Sequence, residues 1–152
     1  MTFGLRNAAQ TFQRHLNNVL SDLKFCFTYI DDILVFSTSE EEHLEHLRIV
    51  FERLKSHAMR VNASKCVFGV AEVEYLGHLI SCHGARPPSA KVFAISDFPK
   101  LETVRDLRRF LRMLNFYRRF APNAAAIQAP LYANLQNSHR NDKTRMSWNA
   151  QT

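Results

Sequence analysis

Two adjacent carboxylates, Asp31 and Asp32, are the residues of this sequence best suited to chemistry. They interrupt the stretch Phe25 to Ser37, which is otherwise rich in aromatic and β-branched residues, and this pattern predicts a β-hairpin with both acids at its tip. Oxygen ligands held at such a tip can bind Mg²⁺ and leave coordination positions open for phosphate oxygens. An Asp-Asp pair is also ordinary turn chemistry, so the pair alone leaves both interpretations open.

The adjacency of the two acids limits what they could hold. Neighbouring strand residues point to opposite faces of a sheet, so Asp31 and Asp32 cannot aim equally well at one pair of metal ions. A two-metal centre would therefore need a third carboxylate from another strand.

Composition sets the class of protein. A chain of 152 residues with 46% hydrophobic content can bury a core, and no signal peptide or apolar membrane span is present, so we expect a soluble intracellular protein of the cytoplasm or nucleus. The three cysteines lack any C-x-x-C spacing, which favours free thiols over a disulfide framework or a zinc site.

Residues 1–60 carry a net charge of −1 and residues 61–152 a net charge of +7. A basic half of this kind is typical of a chain that meets a polyanion.

Hydrophobic periodicity and capping residues predict helices at residues 8–20, 40–57, 90–95, 104–120 and 124–135. The first helix would bury Phe12, Leu16, Val19, Leu20 and Leu23, and the second Leu44, Leu47, Phe51 and Leu54. We expect a strand to begin within residues 61–68 and strand alternation at 72–81, interrupted at Gly77 by a kink, a close backbone approach or a bulge. Residues 84–88 read as a turn and linker, and Thr103 as the cap of an arginine-rich helix.

Four segments, in order, resemble the reverse transcriptases of gypsy-type retrotransposons and retroviral polyproteins. Tyr29-Ile30-Asp31-Asp32 looks like the Tyr-x-Asp-Asp signature. Residues 1–13 resemble Met-Pro-Phe-Gly-Leu-x-Asn-Ala-Pro-x-x-Phe-Gln, residues 76–81 Leu-Gly-His-x-Ile-Ser, and residues 107–120 Leu-Arg-x-Phe-Leu-Gly-x-x-x-Tyr-Tyr-Arg-x-Phe. Lys65 lies in a stretch similar to the family's Asn-x-x-Lys-Cys.

The resemblance implies an α+β fold in three parts. Residues 1–84 would form a partial polymerase palm, with a small antiparallel sheet and packed helices. Residues 85–136 would form a helical thumb, and residues 137–152 a polar tail leading toward a ribonuclease H region. The implied reaction is template-directed DNA synthesis from deoxynucleoside triphosphates with two Mg²⁺ ions.

The resemblance also implies a role for each matching residue. Asp31 would be the main metal ligand and Asp32 the second one. Phe3 and Gly4 would lie beneath the incoming nucleotide, and Lys65, unless it is simply a surface lysine, near its triphosphate. The RNA or DNA template-primer would contact Leu76, Gly77, His78, Arg108, Arg109, Arg112 and Phe116.

Several departures from the family pattern change what is expected. Thr2 and Ala9 replace prolines, and Arg112 replaces a glycine that lets the thumb helix approach the groove. The fingers and the palm segment with the third carboxylate would precede Met1, so the isolated chain would have little or no polymerase activity. Without that segment, Phe25, Phe27 and Tyr29 would present an apolar edge, which predicts self-association or a partner chain. Alternatives are a non-catalytic nucleic-acid-binding remnant, a host-retained copy, or a purely structural interaction fragment.

Overall fold

The computed structural model describes residues 6–135, 138–139, 142 and 144–146. Within these residues the chain combines five α-helices with five short strands, so the predicted α+β class is confirmed. The chain divides into two compact units, Met1–Tyr75 and Leu76–Thr152. This division falls earlier in the chain than the palm–thumb boundary inferred from composition, and the subdomain assignment stays a prediction.

The first unit alternates helices with short strands. Its described elements are α1 (Ala8–Leu20), β1 (Cys26–Tyr29), β2 (Asp32–Val35), α2 (Glu40–Ser56), a 3-10 turn (Ala63–Lys65) and β3 (Glu72–Tyr75). Its core is formed mainly by one face of α1 against α2. The buried core residues are Leu16, Val19, Leu20, Leu23, Val50 and Leu54. The predicted apolar face of the first helix is confirmed at Leu16, Val19, Leu20 and Leu23, whereas Phe12 is only half-buried.

The strands β1 and β2 form the predicted hairpin, which we call the Asp-Asp hairpin (Cys26–Val35). They pair antiparallel, and the pair Tyr29↔Asp32 closes the ladder, leaving Ile30 and Asp31 as a two-residue turn. One face of the hairpin packs against the core through Cys26, Ile33 and Val35. Phe27 and Tyr29 lie on the opposite face, where they are 60% and 53% exposed. The expectation of exposed apolar side chains is confirmed for these two residues.

Helix α2 begins where its sequence predicts, but Leu54 is the only one of its four predicted core residues that is buried. The Ser39 hydroxyl accepts a hydrogen bond from the Glu42 backbone N–H and so caps the helix. Val50 and Leu54 are buried, whereas Leu44 is 64% and Phe51 39% exposed, so the predicted core positions were wrong at those two residues. Leu44 and Phe51 are seven positions apart and share a face that is not the one packed on α1.

No strand begins in the described stretch 61–68, which corrects another expectation. The Asn62 side chain accepts a hydrogen bond from the Ser64 backbone N–H and starts the 3-10 turn Ala63–Lys65 instead. Such local side-chain bonds offer the backbone an alternative to a ladder, and here that alternative prevails over the β propensity of Val61 and Val67.

The second unit holds a short strand pair followed by helices. Its described elements are β4 (His78–Ser81), β5 (Gly84–Arg86), α3 (Ser89–Ser96), α4 (Val104–Phe116), a 3-10 turn (Arg118–Phe120) and α5 (Ala124–Ala133). The pairs Leu79↔Arg86 and Ser81↔Gly84 join β4 to β5 antiparallel. The prediction that the linker starts at Gly84 was therefore wrong. Gly84 takes a φ of 104°, which glycine adopts without strain and which lets the chain turn back into β5.

Helix α4 has the predicted cap and an earlier end. The Thr103 hydroxyl accepts a hydrogen bond from the Asp106 N–H, and the Asp106 carboxylate accepts one from the Thr103 N–H, which completes a capping box. Val104, Leu107 and Leu111 are buried. The helix was predicted to reach Phe120, but it ends at Phe116 because Tyr117 leaves the helical backbone region. Within the described residues, no helix of either unit is long and apolar enough to cross a membrane.

A bidentate ion pair fastens α2 to the end of α1. Arg53 donates to both carboxylate oxygens of Asp22 at 2.7 Å and to the Val19 carbonyl oxygen at 2.9 Å. The hydrogen bonds from Arg53 lower the pKa of Asp22. A lowered pKa in the folded state stabilises the fold above the ordinary pKa of about 3.9, and this stabilisation is lost as the pH falls through the folded value.

We therefore expect Asp22→Asn to lower the melting temperature at pH 6 to 7, with a difference from wild type that shrinks below about pH 4. Thermal melts followed by circular dichroism over this pH range would measure it. Glu52→Gln is the matched control, because Glu52 is an exposed carboxylate on α2 without an ion pair among the described residues. A difference that persists unchanged at pH 3 would contradict the assigned role of the ion pair.

Candidate metal-binding hairpin and nucleic-acid surface

Both acids of the Asp-Asp hairpin are exposed. Asp31 is the second residue of the turn, and Asp32 is the first residue of β2. Directly paired residues of antiparallel strands share a face, so Asp32 lies on the exposed face of the hairpin beside Tyr29. Strand alternation therefore sets the direction of the Asp32 side chain only, whereas the turn conformation sets that of Asp31.

The turn that carries Asp31 has an unusual backbone. Ile30, its first residue, has a φ of 50°, which is the left-handed region that favours glycine. The side chain of Gln13 on α1 contacts the backbone on both sides of Tyr29. Its carboxamide oxygen accepts from the Ile30 N–H at 2.5 Å, and its nitrogen donates to the Thr28 carbonyl oxygen at 3.2 Å. The turn that carries the first acid is therefore bonded to a helix residue for which the sequence predicted no separate role.

A tyrosine hydroxyl lies within electrostatic range of Asp32. The pKa of Tyr75, at the end of β3, is raised first by burial, then by the charge of Asp32 and by that of Cys26 when its thiol ionises. Burial raises the pKa of the Cys26 thiol to about 11, so both groups stay protonated at neutral pH. No sequence pattern predicted a role for Tyr75, and only its place just before the Leu-Gly-His segment could have drawn attention to it.

The hairpin tip fits part of a divalent-metal site. Two exposed carboxylates supply the hard oxygen ligands that Mg²⁺ prefers. Among the described residues, however, no group of three or more His, Cys, Asp or Glu side chains could hold a metal ion. Asp31 and Asp32 therefore fit a site that needs a further carboxylate.

The other predicted nucleotide-site residues are not brought to the acids by any described contact. Lys65 is exposed at the end of the 3-10 turn. Phe3 and Gly4 lie outside the described residues. The predicted roles of all three stay predictions.

In the second unit, the residues that precede and open β4 form a tight aromatic arrangement. Leu76 and Gly77 both have positive φ, 49° and 75°, so Gly77 belongs to a sharp turn. The Tyr117 hydroxyl donates to the Gly77 carbonyl oxygen at 2.9 Å. The His78 ring lies 5.2 Å from the ring of Phe116 and 5.7 Å from those of Tyr117 and Phe120.

The histidine in this arrangement is oriented inward. Its Nδ1 lies 3.0 Å from the Leu76 carbonyl oxygen and must donate to it, because a carbonyl can only accept. Its Nε2 is buried and has no hydrogen-bond partner among the described residues. His78 thus supports the turn and packs against Phe116.

One face of α4 is basic and exposed. Arg105, Arg109, Arg112 and Phe116 recur at helical spacing and are all exposed, so they share one side of the helix. Phe116 is 54% exposed, and a Cβ atom added at Gly77 would lie 3.4 Å from its ring. The turn at Gly77 is therefore continuous with the arginine face. We call this area the grip surface, and it comprises Gly77, His78, Arg109, Arg112 and Phe116.

Arg108 differs from its neighbours because its guanidinium is engaged inside the unit. It donates to the carbonyl oxygen and to the hydroxyl of Ser138, both at 2.6 Å, and it is half-buried. Five of the seven residues predicted to contact a template-primer thus lie together, Leu76 adjoins them, and Arg108 is turned toward Ser138.

Comparison with known proteins defines the class. Residues 1–80 match the family of reverse transcriptases, described as RNA-dependent DNA polymerases. This match covers more than half of the chain and includes the Asp-Asp hairpin. The chain belongs to the reverse transcriptase family.

Individual relatives indicate which type of reverse transcriptase this chain resembles. The chain is 39% identical over 150 residues to the retrovirus-related Pol polyprotein of transposon 297 from Drosophila melanogaster, covering 97% of this chain and 14% of that protein. It is 37% identical over 149 residues to the corresponding polyprotein of transposon gypsy from the same species, covering 97% and 14%. The predicted resemblance to gypsy-type retrotransposon reverse transcriptases is confirmed.

Solved structures support the fold. A foamy viral protease-reverse transcriptase in complex with double-stranded DNA superposes with a TM-score of 0.84 at 26% identity, covering 99% of this chain and 31% of that one. The same type of protein in complex with an RNA/DNA hybrid gives a TM-score of 0.82, covering 99% and 20%. The chain therefore spans about a seventh of the length of its curated relatives and less than a third of these structures.

The hydrogen bond from Tyr117 to Gly77 gives a test of the arrangement beneath the grip surface. We expect Tyr117→Phe to reduce the free energy of unfolding by about 1 kcal/mol, the usual net contribution of one such bond. Urea denaturation would measure the change. Tyr29→Phe is the control, since its exposed hydroxyl makes no hydrogen bond within the described part of the chain, and equal effects of the two substitutions would contradict the prediction.

Proposed function

We propose that this chain supplies the Asp-Asp hairpin and the grip surface of a reverse transcriptase, whose reaction transfers deoxynucleotides to the 3′ end of a primer under the direction of a template. One observation carries the proposal. The Tyr29–Asp32 motif forms the exposed turn of a hairpin within the segment that matches the reverse transcriptase family. A hairpin that ends in two exposed carboxylates is well suited to hold a divalent metal for phosphoryl transfer.

In this proposal each predicted site residue has its own role. Asp31 is the main ligand of a divalent metal, and Asp32 is the second. The chemistry that Mg²⁺ supplies in such a site is electrostatic stabilisation of the attacking and leaving oxygens. Lys65 contacts the triphosphate, while Phe3 and Gly4 support the incoming nucleotide. An intracellular location, in the cytoplasm or the nucleus, belongs to the same proposal.

The third carboxylate would arrive on a strand added at the outer edge of β2. Phe36 donates its N–H to the Phe25 carbonyl oxygen, so alternate residues of the ladder direct their backbone groups between the strands. The backbone groups of Ile33 and Val35 then point away from β1, and the described hairpin has no third strand. At the turn, the opposite edge is occupied by Gln13. A partner chain or a second copy could add a strand at β2, and without one we expect little polymerase activity.

The grip surface would hold the template-primer. The foamy viral proteins superposed above carry double-stranded DNA in one structure and an RNA/DNA hybrid in another. Here Arg109 and Arg112 are exposed cations that suit phosphates, and Phe116 adds an exposed ring between them and the Gly77 turn. Arg108 is also proposed as a contact, although its hydrogen bonds to Ser138 predict a stabilising role as well. Because Arg112 stands where the family has glycine, we expect phosphate binding with a less close approach to the groove.

Duplex binding over a salt series tests the grip surface. Neutralising Arg109 and Arg112 to Gln should weaken binding to an RNA/DNA hybrid, and the slope of log K against log salt should fall by about 2, roughly one per lost phosphate contact. Fluorescence anisotropy at salt concentrations from about 50 to about 200 mM would measure both the binding constant and its salt dependence.

The control keeps the same change in net charge. Arg14 and Arg60 are exposed arginines of the first unit, and their double substitution to Gln removes two charges elsewhere. Equal loss of binding in both double variants would show that net charge alone attracts the duplex, and it would contradict the assignment of the grip surface.

Primer extension tests the chemistry. The isolated chain with Mg²⁺ and a primed RNA template should extend the primer little or not at all. Addition in trans of the preceding palm segment of a gypsy-type relative should restore extension, because it supplies the third carboxylate. Asp31→Asn should then abolish the restored activity, whereas Glu52→Gln, an exposed carboxylate on α2, should leave it unchanged.

A second function is favoured by one observation, the incomplete ligand set within the described residues. The chain could be a non-catalytic nucleic-acid-binding protein, retaining the grip surface only. That function predicts salt-dependent duplex binding that survives Asp31→Asn, together with no extension even after the palm segment is added.

A further inference from the structure

Ile30 is held in a conformation that its side chain disfavours. A positive φ is uncommon for any residue other than glycine and is an outlier for a β-branched one. Strain of this kind persists only where surrounding contacts determine the backbone, and such positions cluster at functional sites. The residue after Ile30 is Asp31, so whatever holds Ile30 also aims the first acid.

The side chain of Gln13 is placed to do this. Odd-numbered residues of β1 direct their backbone groups toward β2, as the bond from the Phe36 N–H to the Phe25 carbonyl oxygen shows. The Thr28 carbonyl and the Ile30 N–H therefore point to the outer edge of β1. The Gln13 carboxamide meets both, so it replaces the peptide group that a neighbouring strand would present.

The orientation of this carboxamide is determined by its partners. The Ile30 N–H can only donate and the Thr28 carbonyl can only accept, so the oxygen and nitrogen of Gln13 cannot be exchanged. The nitrogen also donates to the Asn17 side-chain oxygen at 2.7 Å, one turn further along α1. Gln13 is anchored in turn by α1, whose next residues Leu16, Val19 and Leu20 are buried in the core.

We infer that Gln13 is a positioning residue for the Asp-Asp hairpin, which acts by clamping the turn in the left-handed conformation at Ile30 and thereby aims Asp31 at a divalent cation. The metal role in this inference rests on the proposed function. The clamp itself rests on the hydrogen bonds between Gln13 and the hairpin backbone. Loss of the carboxamide would let Ile30 relax to a negative φ and move Asp31 relative to Asp32.

The experiment uses the full 152-residue chain and Mn²⁺ as the probe. Gln13→Met retains the length of the side chain and removes its hydrogen bonds. Gln10→Met is the matched control, since Gln10 is exposed on the same helix and its side chain makes no hydrogen bond among the described residues. Exchange of the Ile30 amide should be about tenfold faster in Gln13→Met, because its acceptor is gone. Paramagnetic broadening of the Asp31 and Asp32 signals should require about three- to tenfold more Mn²⁺. Gln10→Met should match wild type in both.

Ile30→Gly separates the clamp from a general structural role. Glycine takes a positive φ without strain, so in that background the clamp is dispensable. In the Ile30→Gly background, we expect Gln13→Met to change the Mn²⁺ midpoint less than twofold. If the single variant Gln13→Met unfolds, the double variant should regain a folded circular dichroism spectrum. An equal effect of Gln13→Met in both backgrounds, or unchanged Ile30 exchange, would overturn the inference.

Different results would contradict the proposed metal role of the hairpin and the proposed clamp by Gln13. A wild-type chain in which Mn²⁺ broadens no signal at Asp31 or Asp32 would contradict the metal role of the hairpin and with it the aim assigned to the clamp. Slow Ile30 exchange that is lost only in Gln13→Met would still support the clamp in that case.

Discussion

The first unit depends on a two-residue turn that must bring a carboxylate to the end of an apolar hairpin. A turn this short needs a positive φ, which the chain takes at an isoleucine. The strain at Ile30 is offset by hydrogen bonds with the Gln13 side chain of α1. Gln13 lies on the same face of α1 as the buried residues Leu16 and Leu20, so the packing of this face holds it against the hairpin. Arg53 then fastens α2 to the C-terminal end of α1 through Asp22 and Val19. The core therefore determines the aim of Asp31 through one helix.

The same hairpin carries an exposed apolar face that its own unit does not cover. Phe27 and Phe36 stack on each other at 5.5 Å and remain 60% and 45% exposed. Phe25, by contrast, packs against the core and stacks on His46, so only part of the predicted apolar edge is open. An open face next to an open strand edge favours association, and the acids beside it lack a third carboxylate. In the proposed function, one strand added beside β2 would close the open edge and supply the third carboxylate.

Sequence patterns were sufficient where one local rule decided the outcome. The period of α1, the hairpin around Asp31 and Asp32, and the cap at Thr103 each follow from residues close together in the chain. Patterns failed where competing partners lay elsewhere. Phe51 has the spacing of a core residue but lies on the face of α2 away from α1, and Asn62 replaces a strand by a side-chain turn. The clamp by Gln13 was not predictable, because a glutamine on a helix carries no sign that its partner is a backbone turn 17 residues away.

In the proposed function, metal chemistry and duplex binding depend on different sets of contacts within this chain. The acids depend on the first unit's core and on hydrogen bonds from α1, whereas the grip surface depends on the buried side of α4 and on the bond between Tyr117 and Gly77. The described residues that aim Asp31 are distinct from those that place Arg109 and Arg112. Substitutions that disable the carboxylates would therefore leave the grip surface intact. A lineage that lost the polymerase reaction could keep nucleic-acid binding with no change to the second unit, because neither the turn at Gly77 nor the exposed arginines of α4 require a bound metal.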